Sequence, residues 1–425
     1  MFKKLLSLSL AVVMVLSLAL TFASCNGSND PDKNLTASPL PEVALEADFD
    51  IPSDFKIGFI LLHDEDSTYD LNFINAALAV KEALGLTDEQ VILKKNIDES
   101  NACYEAAKDL VDEGCDIIFA DSFGHESFLI KAAKEFKNVQ FCHATGTKAH
   151  TEGLDNFHNA FASIYQGRFL AGVAAGMKLN EMIAAGEITE KQAKMGYVGA
   201  FTYAEVISGY TSFYLGAKSV CPSVTMEVQF TGSWYDEIEE KNAANALINN
   251  DCVLISQHAD SMGAPTACEE KNVPNVSYNG STASVGPNTF IVSSKIDWSH
   301  YYMYIIKSVC EGTAIADDWC GDATVGSVVL TGINEKAAAE GTLAKLQEVA
   351  GKLKSGEIKV FDTDTFTVGG EKLTSYLADV DDMGDYVKET EVIKDGYFHE
   401  SEYRSAPYFD IQIDGIKLLN TNFGE

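Results

Sequence analysis

The sequence predicts an α/β protein of two similar lobes, each a parallel sheet covered by helices. Short apolar runs alternate with helical patterns from Phe55 onward, and the alternation restarts near Tyr165. Nearly every apolar run ends in small or polar residues. Runs that are apolar throughout suit strands buried on both faces, which is the condition of a parallel sheet flanked by helices.

In the first set, "FKIGFILL" (55–62), "QVILKKN" (90–96), "CDIIFADS" (115–122) and "VQFCHA" (139–144) read as strands. Helical patterns at 72–85, 99–114 and 125–136 separate them, the first closed by Gly85. The second set opens with a long helix at 165–186 and continues with strands at 193–201, 224–232 and 252–260. Helices at 205–222, 236–251 and 263–272 alternate with those strands. Two sets of the same order in one chain point to two lobes, and the lack of a short-period repeat excludes a solenoid. The expected division is 54–160 plus about 275–315 for the first lobe, and 161–274 plus about 316–425 for the second with an extension.

Residues 1–24 are a different material. Lys3 and Lys4 precede the apolar stretch "LLSLSLAVVMVLSLALTF", and "FASC" brings small residues to Cys25. This reads as a signal peptide rather than a spanning helix, because nothing charged follows to stop transfer. The same residues resemble a bacterial lipobox, which implies cleavage before Cys25 and lipid on its thiol. The polar stretch after it, within 25–53, is expected to be a flexible tether. With 63 acids against 31 bases the formal charge is −32, which repels nucleic acid and anionic headgroups alike. The eight cysteines after Cys25 form no CxxC pair or zinc-spaced cluster, so no metal is expected. Cys115, Cys142 and Cys252 sit in apolar runs as buried thiols, and Cys310 with Cys320 is the expected disulfide.

The strand ends line up as "HDEDSTY", "ADSFGH", "HATGT", "GAFTY", "TGSWYD" and "SQHADS". Ligands of open parallel sheets sit beyond the carboxyl ends of the strands. With two lobes these ends face each other across a cleft.

The chain resembles the basic membrane protein family of bacterial substrate-binding lipoproteins, which serve ABC transporters. The resemblance runs from about Phe55 to Gly312 and is carried by "FHNAFASIYQGRFLAGVAAGMK" (157–178), "KMGYVGA" with "FYLGAKSVCP", and "FTGSWYDEIEEKNAANALINNDCVLISQHAD". It implies a periplasmic-binding-protein-like type I fold of two Rossmann-like lobes with a hinged cleft, and a purine nucleoside as ligand. The family's first-strand motif falls on Asp66–Asp70, with Tyr69 where a ring stacks on the base. Its ribose pair falls on Asn279 and Lys295. Its second stacking ring falls near Gly209, which has none, although Tyr210 and Tyr203 are close by.

The candidates each have a plainer role. Asp66 and Asp70 could accept hydrogen bonds from a ligand or cap the helix that follows. Asp121 and Asp260 end central apolar strands, where an unpaired acid is costly to bury, so a ligand donor or a helix cap is expected beside each. Lys295 could meet ligand hydroxyls or Asp297. Trp298, and less so Trp234, suits the face of a sugar or base at the cleft mouth, although core packing is the commoner fate of tryptophan. His63, His125, His143 and His258 all lie at strand ends and could form a proton-transfer or metal cluster only by converging. No GxSxG elbow, P-loop, HExxH or GxGxxG stands at a strand–helix junction, so neither catalysis nor a cofactor is expected. The expected function is that of a lipid-anchored extracytoplasmic receptor handing a small polar aromatic ligand to an ABC permease. The alternative is a ligand-sensing lipoprotein docked on a membrane signalling partner.

Overall fold

Alternate residues of β1 (Ile57–Ile60) and of a parallel neighbour, Ile117–Ala120, enter different cores, which explains why both runs are apolar throughout. Ile57 and Phe59 pack on one side with Ile117 and Phe119, and Ile60 packs on the other with Ile118 and Ala120. The computed structural model describes residues 31–380, 387–421 and 423; the expected signal peptide and Cys25 lie outside them.

After β1 come α1 (Thr68–Leu84), β2 (Val91–Lys94), α2 (Asn101–Asp112), β3 (Ile117–Ala120), α3 (Glu126–Glu135) and β4 (Gln140–Ala144). The one-turn α4 (Ala149–Glu152) and β5 (Phe157–Ala162) complete this stretch. The second lobe opens with α5 (Ile164–Ala184), β6 (Lys194–Gly199), α6 (Ala204–Val220), β7 (Thr225–Phe230) and α7 (Glu237–Asn249). It continues through β8 (Leu254–His258), α8 (Gly263–Lys271), β9 (Asn275–Tyr278) and β10 (Phe290–Ile296). Next are α9 (Ser299–Glu311), β11 (Asp318–Gly321), β12 (Val328–Leu330) and α10 (Thr342–Lys354). Two short antiparallel ladders follow, β13 (Leu377–Ala378) with β14 (Thr390–Glu391) and β15 (Ile393–Lys394) with β16 (Tyr397–Phe398), before β17 (Ile416–Leu418).

The first sheet is parallel in the order β11-β5-β4-β3-β1-β2. The second runs β12-β10-β9-β8-β6-β7-β17, with only β12 antiparallel to its neighbour. This corrects the expected lobe division. β9 and β10, within 275–315, extend the second sheet, while β11, within 316–425, edges the first. α9 packs with the first lobe through Tyr301, Tyr302 and Ile305. The chain therefore crosses between lobes at Ser163, at Asp297 and between β11 and β12. These crossings are laced together, Ser163 N donating to Gly321 O (2.8 Å) and Asp297 N to Ser327 O (2.8 Å).

The "FLAG" and "YLGA" segments meet where α5 crosses α6. A β-carbon on Gly172 would stand 2.0 Å from Phe213 O, and one on Gly216 2.0 Å from Phe169 O, so only glycine permits this approach. Beneath the second sheet Arg168 is fully buried and spans four adjacent strands. It donates to Ser294 Oγ (3.5 Å), Ser277 O (3.1 Å), Ser256 Oγ (2.8 Å) and Tyr197 OH (3.1 Å).

Two further expectations are corrected. Within the predicted flexible tether, Leu40 enters the second lobe's core, and Leu45, Phe49 and Ile51 pack on the first lobe's. Thr36 and Ile333 exchange hydrogen bonds (Thr36 N to Ile333 O, 3.0 Å; Ile333 N to Thr36 Oγ1, 3.0 Å). Cys310 and Cys320 are free thiols, as are Cys115, Cys142 and Cys252. The helix α10 packs on the second lobe's core through Leu346 and Val349. The aromatic segment 395–416 is an extension of that core: Phe361, Phe398 and Phe409 stack and edge together.

Candidate functional site

The carboxyl ends of both sheets open onto one cleft. Leu62, His63, Tyr69, Asp70, Ser122, Phe123 and Thr145 line it from the first lobe, and Glu205, Trp234, His258, Asp260 and Asn279 from the second. About 380 Å³ of space free of atoms, open solvent included, lies within this lining.

The loop after β1 is braced by its own side chains. Ser67 caps α1 by accepting from Asp70 N (3.2 Å) and donates to Asp70 Oδ2 (2.7 Å), while Asp70 Oδ1 accepts from His63 N (2.7 Å). Asp70 is thus buried beside the cap rather than being the cap itself. The acids before it hold the loop from its solvent side. Asp64 accepts from Asp66 N (3.1 Å) and Asn96 Nδ2 (3.1 Å), and Glu65 pairs with Lys95.

Tyr69 donates to Asp121 O (2.8 Å) and meets Phe73 edge to face at 4.8 Å between centroids. Burial holds its phenol well above the usual range. Asp121, at the end of β3, is wholly buried; Oδ1 accepts from Leu62 N (3.1 Å) and Oδ2 has no hydrogen-bond partner. Burial, reinforced by Asp70, raises its carboxyl well above the ordinary value, so it keeps its proton. Behind it His143 and His125 are buried and neutral. The former lies 2.7 Å from Ser122 O and is driven down to about 3 by burial; the latter's Nε2 lies 2.8 Å from Ile97 O.

Across the cleft, Asn279 has a left-handed backbone (φ 64°), which turns the chain beyond β9. Its Nδ2 donates to Asp260 Oδ1 (3.0 Å). Burial raises the Asp260 carboxyl strongly, with help from Glu240. Glu205, in the first turn of α6, lies 3.4 Å from His258 Nε2. Burial lowers the His258 pKa, and its ring fills the space a side chain at Gly209 would need, Nδ1 standing 2.8 Å from that β-carbon position. The lobes touch at the cleft. Thr68 N donates to Asp260 O (2.9 Å), Asn72 Nδ2 to Asn279 O (2.8 Å), and Phe123 and Tyr203 bring their rings within 5.2 Å.

The structure thus brings Tyr69, Asp70, Asp260 and Asn279 to the cleft, with Asp121 behind Tyr69. It places four expected residues elsewhere. Asp66 is exposed on the loop's outer side. Tyr210 is buried in the second lobe's core and donates to Gln412 Oε1 (3.2 Å), because its side of α6 faces the sheet. Trp298 is 1 % exposed and stacks on Phe73 at 4.6 Å, so it offers no free face. Lys295 lies half-buried on β10 opposite Val329 of β12 and is not among the residues lining the cleft. Of the four strand-end histidines only His63 and His258 line the cleft, from opposite lobes. Ser122, Phe123, Thr145 and Glu205 were not singled out. Their signal was position, since each falls in or just after a strand-end stretch.

The sequence profile of the Bmp family, ABC transporter substrate-binding protein PnrA-like, matches residues 65–364. A purine-binding protein of Brucella abortus is 31% identical over 343 residues, covering 77% of this chain and 93% of that one. A Haloferax volcanii protein named as an ABC transporter glucose-binding protein is 32% identical over 215 residues, about half of each chain. Among solved structures, the ABC transporter solute-binding proteins of Aeropyrum pernix and Conexibacter woesei superpose with TM-scores of 0.60 and 0.58. They are 17% and 19% identical, each covering 72% of this chain and 93% and 98% of their own. That likeness supports the periplasmic-binding-protein-like fold. The chain belongs to the Bmp family of PnrA-like ABC transporter substrate-binding proteins.

Proposed function

We propose that the protein is a lipid-anchored extracytoplasmic receptor that takes a purine nucleoside into the interlobe cleft and delivers it to an ABC permease. The observation that carries the ligand is the make-up of the cleft. Rings of Tyr69, Phe123 and Trp234 share it with Asp70, Glu205, Asp260 and Asn279, which suits a flat heterocycle bearing donors and hydroxyls. The Brucella abortus relative's name, a purine-binding protein, supports the same ligand class. Asp260 and its partner Asn279 take the ribose role expected of Lys295 with Asn279. Anchoring at Cys25 rests on the lipobox-like sequence, and delivery to a permease on the family.

A thermal-shift screen of the protein from residue 25 onward against nucleosides, sugars and amino acids tests the ligand, because binding to the folded state alone raises Tm. Inosine and guanosine should raise it. A rise with glucose and none with any purine would assign the cleft to a sugar.

A further inference from the structure

The acids Asp70, Glu205 and Asp260 line the cleft, and among the described residues no lysine or arginine lines it. The three acids differ in how far they are already used. Asp70 has both oxygens engaged, by His63 N and Ser67 Oγ (2.7 Å each). Asp260 is braced by Asn279 Nδ2 at 3.0 Å. Glu205 keeps 14% side-chain exposure, and its neighbour is His258 Nε2 at 3.4 Å. Burial keeps that imidazole neutral, and the carboxylate beside Nε2 places the ring proton there. A carboxylate offers about four acceptor positions, and His258 occupies one. Tyr69, Phe123 and Trp234 line the same cavity as Glu205, so a flat ring resting on Tyr69 has this carboxylate within the same lining to receive its edge.

We propose that Glu205 determines specificity in this cleft by accepting from adjacent ring N–H and exocyclic amino donors of an aminopurine. This rests on the purine-nucleoside reading and narrows it: guanosine, which has both donors, is preferred over inosine, which has only the ring N–H. The same arrangement discriminates against anions, since a phosphate entering a cleft lined by acids finds no cation to pair with. A purine nucleotide is therefore a poor ligand.

Calorimetric titration of the wild-type protein and Glu205→Gln with guanosine, inosine and guanosine monophosphate decides the matter. The wild type should bind guanosine about tenfold or more tighter than inosine, the discrimination expected of a site built around a donor that one ligand lacks. Glu205→Gln should bring the ratio to within about threefold, with guanosine losing more affinity than inosine, because the amide keeps one acceptor for the ring N–H and presents a donor where the carboxylate accepted from the amino group. A residue that only held His258 in place would weaken both nucleosides together. Should Glu205→Gln fold poorly, Glu205→Asp keeps the charge and should keep the order of preference. Equal wild-type affinities, an unchanged ratio in Glu205→Gln, or tight nucleotide binding would each overturn the proposal while leaving the nucleoside reading standing. Absence of any nucleoside binding to the wild type would overturn both.

Discussion

Tyr69 and Trp298 show why two aromatics with similar claims in the sequence end in different places. Both lie close to a strand end. Tyr69 opens a helix that starts at the cleft floor, so its ring stays beside the cavity while its hydroxyl ties to Asp121 O. Trp298 sits between β10 and α9 where the chain passes into the first lobe, and Phe73 covers its face. Strand ends were readable from the sequence, and Tyr69, Asp70, Asp260 and Asn279 follow from them. Which way a side chain leaves the next helix was not readable, and Tyr210 and Trp298 were misplaced for that reason. Glu400 gives a test at this scale. It is buried, Oε1 accepts from Tyr408 N (3.1 Å), Oε2 has no hydrogen-bond partner, and burial pushes its carboxyl up to about 8. An unfolded glutamate titrates near 4.3. Between those values the folded chain holds a proton that the unfolded chain has released, so stability falls as pH rises and levels off above the higher value. Glu240, pushed up to about 7 by burial, adds a slope of the same sign. Glu400→Gln should match the wild type near pH 4 and exceed it near pH 9 by about 2 kcal/mol, some 2–4 °C in Tm. Equal melting temperatures across that range would show that Glu400 is not held protonated.

The pairing of α5 with α6 is the most tightly specified of the elements. Its glycines were legible as a motif, but their physical reason, backbone passing against backbone, needed the crossing itself. Gly216→Ala should destabilise the protein by about 1–3 kcal/mol, the usual range for overpacking, read as a lower urea midpoint at unchanged slope. An unchanged midpoint would mean that the helices sit farther apart. Other elements were less legible. The helix at 342–354 has Leu343, Leu346, Val349, Ala350 and Leu353 at helical spacing, which local pattern could have found. Membership of β9 and β10 in the second sheet could not be found so, because it is decided by where the chain crosses between lobes. The polar composition of 31–53 suggested a tether, yet a few apolar residues, Leu40, Leu45, Phe49 and Ile51, suffice to seat it along both lobes.

At the scale of the molecule, three crossings join the two sheets along one edge, where β11 and β5 of the first and β12 and β10 of the second lie, and the cleft is lined from the carboxyl ends of the neighbouring strands. We propose that the cleft opens and shuts about these crossings. Contacts between lobes, Thr68 with Asp260, Asn72 with Asn279 and Phe123 with Tyr203, lie around the cavity itself. A ligand held there touches both lobes and adds to the contacts that favour the shut arrangement. The cavity is proposed to take a purine nucleoside against Tyr69. Calorimetric titration of inosine into the wild type, Tyr69→Ala and Lys295→Ala tests it most directly. Tyr69→Ala should lose about 1–3 kcal/mol of binding, the range for a lost base–aromatic stack, whereas Lys295→Ala, outside the cleft lining, should match the wild type. Full affinity in Tyr69→Ala, or no inosine binding by the wild type, would contradict the assignment.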